Sequence, residues 1–134
     1  MDVDLKVLKR VAELSPVNNK HAAGLLFKNQ IKSHAINNYI RKDSLYKTIH
    51  AEINLLKSLK RQLLHGYNTV DIIVIRINKS SDLRNSRPCS DCIKYLKELG
   101  IRKVYYSNSD GNIVYEKVKD MKEYHTSSWN KNIK

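Results

Sequence analysis

Cysteine is almost missing from this 134-residue chain: Cys89 and Cys92 are present and there is no third. That excludes a disulfide framework and a zinc site closed by four thiolates. Acidic residues are also few, 13 Asp and Glu against 25 Lys and Arg, for a net charge of +12. No apolar run reaches the roughly 20 residues that span a bilayer, and the start Met1-Asp2-Val3-Asp4 lacks the basic and apolar segments of a secretory signal. The expectation is a soluble, cytoplasmic protein whose two thiols stay reduced. The length suits one domain with a single core, residues 1–134, and is too short for two ordinary ones.

The positive charge has two readings. It invites a polyanion such as a nucleic acid. Equally, abundant lysine, asparagine and isoleucine beside scarce alanine is what an A+T-rich coding bias produces. Charge alone therefore assigns no nucleic-acid substrate. The eight tyrosines have no repeated spacing that would make a stacking platform.

What is present is a split motif, His50-Ala51-Glu52 and then Pro88-Cys89-Ser90-Asp91-Cys92. Each half alone is weak, since a lone C-x-x-C also reads as a redox pair or half of a structural zinc site. Together they supply one imidazole and two thiols, a ligand set that leaves the fourth position of a zinc ion open for water. A structural site would be closed by a further Cys or His, and His21, His34, His65 and His125 stand at no short spacing from the pair. The glutamate two residues after the histidine is then a base beside that water.

H-x-E followed by P-C-x-x-C is the signature of zinc-dependent nucleobase deaminases, and over about residues 20–118 the chain resembles the cytidine deaminase superfamily of CMP/dCMP-type enzymes. The resemblance implies Zn²⁺ held by His50, Cys89 and Cys92, with Glu52 as the catalytic proton carrier. It implies a three-layer α/β/α fold with a mixed five-stranded sheet. It also implies that the Ala51 backbone N–H donates to the base carbonyl, and that an asparagine ending the second strand, Asn37 with Asn38 as fallback, contacts sugar or base. Members often form dimers or tetramers, so a homo-oligomer is expected.

The elements follow from periodicity. Val3, Val7, Val11 and Leu14, with Leu8 beside them, make residues 2–14 an amphipathic helix, capped by Asp2 or Asp4 and ended at Ser15-Pro16. Residues 21–27 and 30–36 form a hairpin around Lys28-Asn29. Residues 39–47 are polar without clear period, and a helix is expected over 48–65, with His50 in its first turn and Gly66 as its stop. The β-branched run 70–77 reads as a central strand. A polar loop follows, in which Arg84 and Arg87 either meet a substrate phosphate or are simply solvated; Arg87 is the candidate carried forward.

A helix from Cys89 to Leu99 places its two thiols one turn apart on one face, at the end whose dipole favours thiolates. The six turn-forming residues Ser107 to Asn112 carry the chain from strand 103–107 to strand 113–118, too few for a crossover, so the last pair is expected to be antiparallel. Residues 119–134 form a basic tail, and Tyr124, His125 and Trp129 in it are assigned no role.

The resemblance divides on substrate. A histidine as first ligand is similar to the tRNA adenosine, dCMP and polynucleotide cytidine deaminases, whereas an antiparallel last strand pair is similar to the free cytidine deaminases. The favoured expectation is hydrolytic deamination of a cytosine base in a free nucleoside or nucleotide. The alternatives are a deaminase of cytosine or adenine within RNA or DNA, and a zinc-bearing structural protein that has lost catalysis.

Overall fold

The computed structural model describes residues 5–42, 45–59 and 70–122. One mixed sheet has the order β2-β1-β5-β7-β8, where β1 is Lys20–Phe27, β2 Gln30–Ile36, β5 Asp71–Ile77, β7 Lys103–Ser107 and β8 Ile113–Lys117. A two-residue strand, β6 (Leu83–Arg84), pairs with the end of β5. Helix α1 (Leu5–Glu13) covers one face, and α2 (Ala51–Leu59) and α3 (Ser90–Leu99) cover the other. This is the expected three-layer α/β/α fold.

Alternation along β5 builds both cores. Ile72 and Val74 face α2 and α3 with Ala23, Leu25, Leu55, Leu56, Ile93, Leu96 and Val104. Ile73, Ile75 and Ile77 face α1 with Ala22, Leu26, Leu8 and Ala12. A strand buried on both sides has no polar face to show, which is why residues 71–77 read as a nearly continuous apolar run. The β1–β2 turn takes left-handed φ at both Lys28 (52°) and Asn29 (62°), the geometry whose twist matches a two-residue hairpin.

β5 and β7 are parallel, while β1 is antiparallel to β5 and β8 to β7. The antiparallel last pair is thus as expected. Its loop closes on Asn108, whose Oδ1 accepts from Asp110 N at 3.0 Å and Asn112 N at 2.9 Å, with Gly111 at φ 80°.

Three local expectations are corrected. The α1 stripe was placed on Val7, Val11 and Leu14, yet Leu8 and Ala12 are fully buried while Val7 is 40% and Leu14 74% exposed. Helical phase alone leaves the stripe free to rotate by a residue, and packing on β1 and β5 selects Leu8. The aperiodic polar stretch 39–47 and the start of the expected helix at Thr48 hold two strands instead: β3 (Asn38–Lys42) and β4 (Leu45–Ile49) pair as a separate antiparallel ribbon. Strand pairing in the ribbon satisfies the backbone of Thr48 and Ile49, so α2 starts at Ala51 and His50 lies just before it rather than in its first turn.

The proposed helix end at His65-Gly66, the caps Asp2 and Asp4, and the tail residues Tyr124, His125 and Trp129 lie outside the described residues. No helix among the described residues is long and apolar enough to cross a membrane.

Candidate active site

The sheet topology gathers one end of the molecule. At the C-terminal ends of the parallel strands β5 and β7, the start of β1 with His21 and the residue following β2, Asn37, also arrive, because β1 pairs His21 with Arg76 and Ala22 with Ile36. β5 and β7 stop pairing at Val74 and Tyr106, and the chain from β6 to α3 fills the gap beyond. Strand ends where parallel neighbours part are where α/β sheets bind ligands.

Both α2 and α3 begin here, and each has a metal-ligating residue immediately before its first helical residue. His50 O accepts from Asn54 N at 2.9 Å, and Cys89 O accepts from Ile93 N at 2.9 Å. Each is thus the residue that opens its helix, where free N–H groups and the dipole favour negative charge. Cys92 follows Cys89 by one turn and is fully buried. α2 is tied to the sheet by Asn54 Nδ2, which donates to Ile36 O at 2.8 Å.

His50 Nδ1 lies 3.1 Å from Cys92 Sγ and 3.7 Å from Cys89 Sγ, and the three ligand atoms are all within 4.8 Å of one another. A tetrahedral ion with Zn–S of about 2.3 Å and Zn–N of about 2.0 Å separates its ligand atoms by roughly 3.5–3.8 Å. The donor set and spacing fit zinc. No fourth Cys, His, Asp or Glu joins the cluster among the described residues, as a site with one exchangeable position requires. That position opens toward a cavity of about 240 Å³, because His50 and Cys89 line it together with Val17, Asn19, His21, Asn37, Thr48, Ala51, Glu52, Ser86, Arg87 and Pro88.

The protons are arranged for a metal. The hydrogen bond from Cys92, with a further one from His50, pulls the Cys89 thiol down to about 4. Cys92 is pushed up by the Cys89 thiolate and by burial, and His50 is raised by its hydrogen bond to Cys89. The pair therefore holds one thiolate beside a proton that metal binding displaces. Glu52, 4% exposed, is raised above the ordinary carboxyl range, foremost by burial.

A hydrogen-bonded wedge holds the cysteine loop. Ser86 Oγ donates to Val74 O at 2.8 Å and accepts from Ser107 N at 2.9 Å, while Ser86 N donates to Ser107 O at 2.8 Å. The loop is thereby pinned to both parallel strands where they separate. Arg87 adds an ion pair, its Nε 2.8 Å from Glu116 Oε2 on β8, and Tyr106 OH donates to the same oxygen at 2.6 Å. Burial and that carboxylate lift the Tyr106 hydroxyl to about 12.

The family model for the cytidine and deoxycytidylate deaminase zinc-binding region matches residues 4–108. The chain belongs to the cytidine and deoxycytidylate deaminase family. It is a zinc-dependent deaminase by that membership, with His50, Cys89 and Cys92 positioned to bind the ion. Among solved structures it is similar to a cytidine deaminase from Burkholderia pseudomallei, at 23% identity and a TM-score of 0.61 over 86% of this chain and 90% of that one. It is also similar to a dCMP deaminase from the cyanophage S-TIM5, in complex with dCMP and dUMP at 20% identity and TM-score 0.53 over 78% and 75% of the two chains. In its apo form that enzyme aligns at 20% identity and TM-score 0.52 over 78% and 82%. At such identities the likeness speaks to the fold. No curated protein sequence matches the deaminase significantly.

Of the residues singled out from the sequence for the site, His50, Cys89, Asn37, Ala51, Glu52 and Arg87 line the cavity and Cys92 stands beside His50, while Asn38 and Arg84 do not line it. Asn37 is buried and heavily engaged: Oδ1 accepts from His21 N at 3.0 Å and Ser15 Oγ at 2.6 Å, and Nδ2 donates to Asn19 O at 2.7 Å. Arg87 is directed to Glu116 and to Lys122 O, 3.1 Å from its Nη2. The sequence reading missed Val17, Asn19, His21, Thr48 and Ser86. No local pattern marks them, because the cavity wall is drawn from separate segments that only the sheet brings together.

Proposed function

We propose that this deaminase hydrolyses the exocyclic amine of a cytosine base in a free nucleoside or nucleotide, giving the uracil product and ammonia. The observation that carries this is the character of the cavity. At about 240 Å³ it is near or below the lower end of small-molecule sites, roughly 300–1,000 Å³. Among the described residues that line it, Arg87 is the one arginine or lysine, and its guanidinium is already paired with Glu116. A polynucleotide backbone needs several cations along its path, and the +12 net charge supplies none others at this wall. The short antiparallel β7–β8 link supports the same reading.

In this mechanism zinc, when bound, acts as the Lewis acid that makes water nucleophilic near neutral pH. Glu52 carries two protons in turn. It takes one from water as the oxygen adds to the amine-bearing ring carbon and gives it to the ring nitrogen. It then moves the second from the new hydroxyl to the departing amine, which leaves as ammonia. A buried carboxyl held above its ordinary range suits this shuttle. The Ala51 N–H, at the start of α2, donates to the base carbonyl, and Asn37 meets the sugar. Arg87 meets a phosphate only by sharing its charge with Glu116, so nucleosides are favoured over their monophosphates. The reading includes a cytoplasmic homo-oligomer, which light scattering of the zinc-loaded protein tests.

The deciding experiment follows the amine-to-carbonyl mass change with cytidine, deoxycytidine, their monophosphates, and single-stranded RNA and DNA, beside the Glu52→Gln variant. Conversion of the small molecules alone is the expected result. Conversion of the polynucleotides alone overturns the substrate, and silence on every one of them points to an adenine or guanine substrate or to the non-catalytic reading.

A further inference from the structure

His21 takes no part in the metal site and was not expected in the cavity, yet it lines the wall. Nδ1 lies 2.9 Å from Asn19 O and 3.4 Å from Asn37 Nδ2. A carbonyl oxygen only accepts and an amide nitrogen only donates, so Nδ1 cannot satisfy both. The shorter contact requires a proton on Nδ1. Burial lowers the pKa of the ring, and in the neutral ring with Nδ1–H the remaining nitrogen, Nε2, is an acceptor.

The orientation of Asn37 follows from the same partners. Its Oδ1 accepts from His21 N and Ser15 Oγ, so Nδ2 must be the donor to Asn19 O. That uses one of its two hydrogens. Asn19 is anchored in turn, its Oδ1 accepting from Arg76 Nη2 at 3.0 Å. Among the described residues, the cavity wall therefore carries one N–H and one acceptor without a partner, on adjacent side chains clamped to the same carbonyl.

The amine of cytosine only donates, and its carbonyl and bare ring nitrogen only accept. A hydroxyl does both through one atom. We infer that His21 and Asn37 read a single sugar hydroxyl, Asn37 Nδ2 donating to its oxygen and His21 Nε2 accepting its hydrogen, so that His21 is a specificity-determining residue. This rests on the proposed action on free nucleosides.

The test compares kcat/KM for cytidine, 2′-deoxycytidine, 3′-deoxycytidine and the corresponding 2′- and 3′-fluoro analogues, which keep a weak acceptor but have no hydrogen to give. One deoxy analogue should fall about 10- to 100-fold below cytidine, as expected when a buried donor and acceptor lose their partner, and its fluoro counterpart should fall with it. In His21→Phe that penalty should shrink to a few-fold. An unchanged penalty in His21→Phe, or equal rates for all analogues in the wild type, overturns the inference. Should His21→Phe fail to fold or hold zinc, the fluoro series on the wild type decides alone: the fluoro counterpart of the impaired deoxy analogue turning over as well as cytidine overturns it.

Calorimetric binding of uridine and its deoxy analogues to the zinc-loaded protein separates this from the proposed function. Hydroxyl-dependent binding that His21→Phe abolishes supports the pair even if no cytosine nucleoside is turned over. Binding indifferent to the hydroxyl, or no binding, removes it.

Discussion

On one face of the sheet a single nine-residue helix, α1, covers Ala22, Leu26, Ile73, Ile75 and Ile77; on the other, α2 and α3 cover Ala23, Leu25, Ile72, Val74 and Val104. Both faces are aliphatic, and both bury their central residues fully. Only the second carries ligands. The difference lies in where the helices begin: α2 and α3 both start at the strand ends where β5 and β7 part, with His50 and Cys89 as their opening residues. The faces supply stability alike. Chemistry arises at the rim of one of them, where two helix starts converge and the sheet leaves a gap.

The contrast breaks most visibly through the metal. Cys92→Ser should abolish stoichiometric zinc and all turnover while leaving the α1 face packed, as read by metal analysis beside circular dichroism; zinc retained at full occupancy would separate the thiol from the site. Next, Glu52→Gln should keep the ion and lower kcat about 10²–10⁴-fold, the usual contribution of a positioned proton carrier. A variant with near-normal turnover would remove Glu52 from the mechanism.

On the opposite face, Leu8→Ala should cost about 2–5 kcal/mol of folding stability with zinc content and kcat unchanged below the melting transition. A loss of metal there would mean that the two faces are not separable. Ser86→Ala sharpens the boundary, since its hydroxyl joins the cysteine loop to both strands. It should cost about 1–3 kcal/mol through the unpaired Ser107 N–H and Val74 O and also weaken zinc affinity about 10–100-fold, as supports of metal ligands do.

The smallest effect concerns Glu116. Burial pushes its carboxyl up, but Arg87 and Tyr106 outweigh this and hold it below the ordinary range. With the folded value depressed, the carboxylate contributes stability above its unfolded pKa and loses that contribution as pH falls through the folded one. Denaturant melts of wild type and Glu116→Gln should differ by about 0–1 kcal/mol at pH 7, the usual range for a part-exposed pair, and converge as the pH falls through the depressed folded value of Glu116. A gap that persists in acid would assign the effect to packing.

Much of this was legible in the chain. Continuous β-branched sequence marked β5 because a strand buried on both faces needs no polar positions. The five-residue turn at 108–112 allowed only an antiparallel return, and two cysteines one helical turn apart had to share a face. What was not legible were features whose cause lies elsewhere in the chain. Val7 and Leu14 fit the helical period as well as Leu8, and only docking on the sheet chose between them. Residues 38–49 have no strong alternation, so no period-two pattern marked the β3–β4 ribbon, which shows itself only in its backbone pairing. Ser86, Asn19 and His21 are ordinary polar residues until the strand order makes them neighbours.

The sequence by itself determined the candidate ligand set, the candidate proton carrier and the main strands and helices, since each is written in residue type and short spacing, which local geometry converts directly into a face or a turn; the layer architecture was implied by the family resemblance that those motifs carry. The tertiary structure alone decided where the helices begin, which serine braces the metal loop and which histidine faces the cavity. Those depend on contacts between residues far apart in the chain, as between Ser86 and Ser107 or His21 and Asn37, and their partners are chosen only when the strands pair.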